Sequence, residues 1–138
     1  YRSFNLVVGD NIHVFLVANR ARADRITVER FPDGLSMLTS QEINDRRNAR
    51  IDAFLSDFEA AMPPDPDSGD WTGWRKILAD RRTDASVGPS SAMCIASDWG
   101  FGTVSSTLLA LPAPGADDPA GIYLFAEGRP DQTEYEPV

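Results

Sequence analysis

The chain has 138 residues, which is enough for one domain and too few for two ordinary ones. With 42% hydrophobic and 25% charged residues the composition is globular, and it excludes disorder, collagen-like repeats or a coiled coil as descriptions of the whole chain. Thirteen basic against 21 acidic residues give a net charge of −8, which argues against nucleic acid as a partner.

The rare residue types and the start of the chain narrow the expectations further. The single cysteine, Cys94, cannot form an internal disulfide, and the single histidine, His13, cannot build a histidine-rich metal site. We therefore expect no metal, no cofactor and a reducing compartment, the cytoplasm. No apolar run approaches the roughly 18 residues of a membrane helix, so no membrane span is expected. The given sequence begins at Tyr1, with neither an initiator methionine nor a leader. We therefore interpret the chain as a processed product or the downstream part of a longer protein.

The first forty residues predict an antiparallel sheet. Short apolar or alternating segments separated by tight turns predict four strands: Phe4–Val8, Ile12–Ala18, Arg25–Arg30 and Leu35–Thr39. The triplet Gly9-Asp10-Asn11 between the first two is a hairpin signal. In the third strand, Ile26 and Val28 alternate with polar residues and are predicted to point inward.

The period then changes to that of a helix. One apolar stripe at helical spacing comprises Ile51, Phe54, Leu55, Phe58, Ala61 and Met62. Asn44 or Asp45 is the predicted N-cap, and Pro63-Pro64 is predicted to end the helix. Asp70 is the predicted cap of a second, short helix that carries Trp71 and Trp74 on one face, for core packing or as a lid.

Three further strands are predicted after a polar connection: Met93–Ser97, Val104–Leu111 and Ile122–Ala126. Strands followed by helices and then by strands indicate an α+β fold with mainly antiparallel sheets and helices packed outside.

Few residues suggest chemistry by themselves. Cys94 lies among apolar residues and is interpreted as an inert buried thiol, the alternative being a catalytic pair with His13. Gly100-Phe101-Gly102 precedes a strand rather than a helix, which favours a tight turn over a phosphate loop.

Polar residues near two predicted strands leave alternatives open. Asn19 and Arg20 end the second strand. They are either a turn residue and a surface charge, or functional groups, with Asn19 as a donor toward an oxyanion and Arg20 as the partner of a carboxylate. Thr103, Ser105 and Thr107 share one predicted sheet face, which is either the solvated side of the strand or the floor of a pocket.

Several short motifs, taken in order, carry a family resemblance. They are Phe4-Asn5-Leu6, Asn19-Arg20, Gly34-Leu35-Ser36 and the run Gly100-Phe101-Gly102-Thr103-Val104-Ser105-Ser106-Thr107. In order and spacing they resemble the NRDE family, also called the transport and Golgi organisation two family. The resemblance covers residues 1–138 as the C-terminal portion of a single NRDE-type domain. The Asn-Arg-Asp-Glu motif and the cysteine near the N terminus would lie upstream of Tyr1.

The resemblance implies part of an N-terminal-nucleophile (Ntn) hydrolase-like αββα sandwich and the hydrolysis of a small amide. An upstream N-terminal cysteine would attack the amide, with its own α-amino group as base. By matching, Asn19 and Arg20 would stabilise the oxyanion and position the substrate, and the substrate-binding residues would be Ser36, Thr103, Ser105 and Thr107.

The alternative is a non-catalytic module that binds or traffics haem or a lipid ligand in the same cleft. Met37 and Val104 stand where many members have Asn and Arg, and the loss of a cationic donor favours this alternative over hydrolysis. A structural interaction domain is the third interpretation. The expected partners are a small molecule and the upstream segment of the same protein, with self-association through uncovered sheet edges and faces.

Overall fold

The chain forms two separate three-stranded antiparallel sheets joined by a helical segment. The computed structural model describes residues 2–20, 25–117 and 120–138. In chain order the elements are β1 (Phe4–Gly9), β2 (Val14–Asn19), β3 (Ile26–Arg30), α1 (Ala49–Ala60), α2 (Thr72–Leu78), a 3-10 turn (Pro89–Ser91), β4 (Ser106–Ala110), β5 (Ile122–Ala126) and β6 (Glu136–Pro137). The sheet orders are β1-β2-β3 and β4-β5-β6, so the predicted α+β class and antiparallel pairing are confirmed.

The predicted hairpin between β1 and β2 is present, and Asp10 fixes its turn. The Asp10 carboxylate accepts the backbone N–H groups of Ile12 at 2.8 Å and His13 at 2.7 Å. These bonds lower the pKa of Asp10, with the His13 amide as the largest cause. Gly9 is required beside the turn, because a Cβ there would lie 2.9 Å from the His13 carbonyl oxygen.

Helix α1 buries the predicted stripe but begins later than predicted. Its N-cap is Asn48, whose side chain accepts the N–H groups of Arg50 and Ile51. The predicted caps are wrong because both side chains close turns upstream. Asn44 has a φ of 56° and accepts the Met37 N–H at 2.7 Å, and Asp45 accepts the N–H of Arg47 at 3.0 Å.

The ends of the two helices correct two smaller predictions. Met62 is not part of the buried stripe, because α1 ends at Ala60 and leaves this side chain 81% exposed. The N-cap of α2 is Trp71 rather than Asp70, although the Asp70 carboxylate accepts the Thr72 N–H at 3.0 Å.

Two predicted strands are absent because other groups take their backbone hydrogen bonds. In Leu35–Thr39, the N–H and C=O of Met37 bond the side chain and the backbone of Asn44. In Met93–Ser97, the Cys94 N–H donates to the Asp80 carbonyl, and Ile95 bonds both the backbone and the hydroxyl of Thr103. The strand predicted over Val104–Leu111 shortens to β4. The two-residue β6, which contains a proline, gave no recognisable strand pattern.

The core joins the two helices to the segment that follows β3. Phe54 and Phe58 of α1 and Ile77 of α2 form the buried cluster. Trp74 packs edge-to-face on Phe58, with ring centroids 5.4 Å apart. Partly buried side chains complete the cluster: Leu35, Met37, Ala61, Leu78 and Met93.

One face of the first sheet is uncovered. Leu16 and Ala18 on β2 are buried, whereas Ile26 and Val28, predicted to point inward, are 59% and 66% exposed on the opposite face. The second sheet likewise buries Leu108 and Ala126. The accessible surface of the chain is 9597 Å², against about 7,000 Å² expected for a compact protein of this mass. Each sheet therefore has a single face in the core.

Candidate functional site

A sizeable cavity lies between the turn end of the first sheet and the end of α1. Its volume is about 610 Å³, within the range of ligand sites. Val14 and Phe31 contribute apolar walls from the sheet, and Phe58 and Trp74 contribute aromatic walls from the helices. Arg30 also lines it and forms an ion pair with Asp33 at 3.5 Å. The cavity can therefore hold a largely apolar molecule beside a guanidinium group.

A second cavity of about 180 Å³ adjoins the same residues from the side of β4. It is lined by Trp71 and Leu78 from the α2 region and by Thr107 and Leu109 from β4. Both cavities share four lining residues, which are Leu35, Ser36, Phe58 and Trp74. The two spaces are thus separated by a thin wall and form one candidate site.

Ser36 supplies the uncommitted polar group of this wall. Its hydroxyl oxygen is buried and has no hydrogen-bond partner within the described part of the chain. Burying such a group without a partner costs about 1–3 kcal/mol. A ligand atom that bonds the Ser36 hydroxyl would remove this cost, so the hydroxyl is the most apt polar anchor in the site.

The Arg20 guanidinium is already hydrogen-bonded within the chain. Its guanidinium donates to the Asn5 side chain, to the Gln41 carbonyl at 3.0 Å and to Glu42 at 3.1 Å. Asn5 in turn donates to the Thr39 carbonyl at 2.8 Å. This network fastens the loop around Gln41 to the first hairpin, and Arg20 borders a separate recess with Glu42.

Asn19 is the last residue of β2. It pairs with Phe4 and Ile26 across the uncovered face of the first sheet, and its Nδ2 donates to the Arg2 carbonyl at 3.2 Å. Neither Asn19 nor Arg20 is among the residues that line the Ser36 cavities.

The three hydroxyl residues near β4 have different environments. Thr103 closes the loop before β4, because its N–H donates to the Ile95 carbonyl and its Oγ1 accepts the Ile95 N–H, both at 2.9 Å. Ser105 is exposed and precedes the strand. Thr107 lies within β4 and lines the smaller cavity with Ser36. The structure thus brings together two of the six predicted site residues, Ser36 and Thr107.

The Gly100-Phe101-Gly102 segment is a turn, as the sequence favours. Gly100 has a φ of 83°, and Gly102 bridges to Ala96 across the loop. Trp99 and Phe101 stack with ring centroids 5.5 Å apart at the tip.

Cys94 is buried beside a carboxylate. Its thiol donates to Asp131 at 3.2 Å, and burial, followed by this bond, raises its pKa. Arg129 donates two hydrogen bonds to the same carboxylate, at 2.9 and 2.7 Å, and these lower the pKa of Asp131 to about 2. His13 instead stacks on Phe15 in the first hairpin, so the Cys94–His13 pair does not form. A protonated, enclosed thiol supports the interpretation of Cys94 as inert.

The remaining side-chain chemistry is limited. Across residues 2–20, 25–117 and 120–138, no three His, Cys, Asp or Glu residues are grouped to hold a metal ion. None of the helices in those ranges has the length and apolarity to cross a membrane. No family model, curated protein or solved structure matches the chain.

Sequence reasoning did not assign Arg30, Phe58 or Trp74 to the site. Phe58 and Trp74 lie on core-facing stripes, which predict packing and give no sign of a cavity. The Pro32-Asp33-Gly34 turn was the available signal for Arg30, since it returns the chain from β3 toward α1.

We expect Arg20→Ala to destabilise the protein by about 1–2 kcal/mol, because three acceptors lose a charged donor. Urea unfolding measures this. Arg46→Ala is the control and should cost under about 0.5 kcal/mol, since Arg46 is exposed and forms only a 3.7 Å pair with Asp52. Unchanged stability of Arg20→Ala would show that the network does not hold the fold.

Asp131→Asn should lower the free energy of unfolding at neutral pH, and this difference from wild type should disappear in acid. Because the folded pKa is below the usual 3.8, the carboxylate contributes stability above about pH 3.8, and this contribution disappears as the pH falls toward about 2. Urea unfolding at pH 7, 4 and 2.5 measures the difference in the free energy of unfolding between wild type and variant. Asp33→Asn, at a 97% exposed side chain, is the control. A difference in the free energy of unfolding that is as large at pH 2.5 as at pH 7 contradicts the prediction.

Proposed function

We propose that this chain forms the wall of a small-molecule binding cleft in an NRDE-type protein. The observation that carries the proposal is the hydroxyl of Ser36, which is buried between two cavities with aromatic walls and has no partner among the described residues. A ligand with an apolar body and one hydrogen-bonding group suits these walls, since burial of the body is favourable and the hydroxyl gains a partner. Such a cleft is common to both functions implied by the family resemblance.

Hydrolysis of a small amide is the first form of this function. The nucleophile would be an N-terminal cysteine in the upstream segment of the same protein, because Cys94 is buried and its raised pKa favours the thiol. The thiolate would attack the carbonyl carbon, and the α-amino group would carry the thiol proton to the departing amine. Water would then hydrolyse the thioester. Support for this form is that Ser36 and Thr107 line one cavity.

In this form the αββα sandwich is completed by polypeptide outside the chain. The second sheet leaves the paired Leu109 and Tyr123 exposed on one face, which is free for a further layer and compatible with such a sandwich. Asn19 and Arg20 would act on the substrate only if the upstream segment drew them toward the cleft, because here they bond Arg2, Asn5 and Glu42.

Binding of haem or a lipid without chemistry is the second form. The apolar and aromatic lining of the larger cavity favours it, and a volume of about 610 Å³ accommodates an acyl chain. Arg30 lies where it could meet a carboxylate, which both fatty acids and haem carry.

We expect Ser36→Ala to weaken ligand binding without lowering stability. Cis-parinaric acid is the probe, observed by energy transfer from tryptophan. The dissociation constant should rise about tenfold, the effect of one lost hydrogen bond, while the urea midpoint stays constant or rises because an unpaired buried hydroxyl is removed. Hemin, followed by visible absorbance, tests haem in the same variants.

Matched variants locate the probe. Trp74→Phe should weaken parinarate binding because this ring lines both cavities, whereas Trp99→Phe, at an exposed loop tip, should preserve the affinity. Ser40→Ala is the control for Ser36→Ala. Unaltered affinity in Ser36→Ala, or a free-hemin spectrum together with no parinarate binding at micromolar protein, would refute the proposed cleft.

Amide hydrolysis requires a free cysteine at the mature N terminus of the complete protein. Intact mass and N-terminal sequencing identify that residue. We expect its replacement by alanine to abolish amine release from small acyl amides while parinarate binding persists. A blocked N terminus, or one without cysteine, removes hydrolysis and leaves the binding form.

A further inference from the structure

An apolar surface covers one whole side of the first sheet. The β1–β2–β3 register places Leu6, Val17 and Val28 in one row across the three strands. The neighbouring rows complete the surface, which we call the open face: Phe4, Leu6, Val8, Phe15, Val17, Ile26 and Val28. Side chains two residues apart on a strand share a face, so this composition follows from the alternation in all three strands. The opposite side carries the buried Leu16 and Ala18.

The open face is a substantial apolar patch. Six of its seven side chains are among the exposed large hydrophobics, and together they present about 500 Å², within the range of a monomer's largest apolar patch, which is often functional. The chain as a whole exposes 9597 Å², well above the roughly 7,000 Å² of a compact protein of its mass. A patch of this size on a chain with this much exposed surface is a candidate interface.

The charge pattern suits a second copy of the same surface. Across the described strands, the positions pointing to this side include Asn19 and Arg30 at the ends and no acidic residue. Two chains with a net charge of −8 can therefore meet here without bringing carboxylates together. A flat pleated face of branched side chains also packs on another such face at about 10 Å.

We propose that the open face forms a homodimer by packing against the open face of a second copy. Two copies bury about 1,000 Å² through these side chains alone, which is about the minimum for a specific interface. The same patch on both subunits gives a closed, twofold assembly rather than a polymer. The interface borders the larger cavity at Arg30, which lies at the end of the open face and also lines that cavity, whereas Ser36 is not part of the open face.

Sedimentation equilibrium between 1 and 200 µM tests the proposal on wild type and on Val28→Glu. Wild type should behave as a dimer. Val28→Glu should raise its dissociation constant at least 100-fold, because the new carboxylates would be buried against an apolar face. In the monomer Val28 is 66% exposed, so the variant should fold, and circular dichroism verifies this.

Val104→Glu is the matched control, since Val104 is 81% exposed outside both sheets. It should dimerise like wild type. A wild-type monomer at 200 µM overturns the proposal, as does a Val28→Glu dimer as stable as wild type. If Val28→Glu fails to fold, Leu6→Lys replaces it under the same two criteria. Parinarate binding measured on the monomeric variant keeps the cleft and the dimer distinguishable.

Discussion

The edge-to-face packing of Trp74 on Phe58 is the interaction on which both the fold and the candidate site depend. It joins α2 to α1, and Phe58 belongs to the buried cluster with Phe54 and Ile77. The same two rings form part of the wall shared by the two cavities. Aromatic rings bury much area with few rotatable bonds, so they can form a rigid wall without filling the space beside it. The Trp74–Phe58 pair therefore belongs both to the core and to the wall of the cleft.

Loops rather than strands position the polar groups around this pair, and side-chain hydrogen bonds replace the missing ladders. Asn44 binds both backbone groups of Met37 and so sets the course of the segment that carries Ser36. Thr103 does the same for Ile95. Such bonds satisfy buried backbone groups as a neighbouring strand would, but they do not align side chains with period two. Ser36 consequently lies between two cavities, and its hydroxyl has no hydrogen-bond partner in the ranges that the structure describes.

The sequence predicts well what local periodicity and turn chemistry determine. The first hairpin, the stripe from Ile51 to Phe58 and the antiparallel character of both sheets follow from patterns of two and of 3.6 residues. It misses what side chains distant in sequence decide. The capping choice among Asn44, Asp45 and Asn48 depends on which of them is engaged by Met37 or Arg47. Likewise, only the assembled fold shows that Thr107 reaches the Ser36 cavity while Arg20 is used by Asn5 and Glu42.

The one systematic error, the direction of Ile26 and Val28, has a physical origin with wider consequences. Alternation tells which residues share a face, but it does not tell which face lies in the core of a single chain. Here β2 is apolar on both sides, since Leu16 and Ala18 face the core and Phe15 and Val17 lie on the opposite face, whereas β3 is apolar only on the face of Ile26 and Val28. A strand that is apolar on both sides is typical of a sheet covered on both sides. The alternation in β3 therefore predicts correctly that Ile26 and Val28 share a face, and it is wrong about the direction of that face because the core of the single chain lies on the side of Leu16 and Ala18.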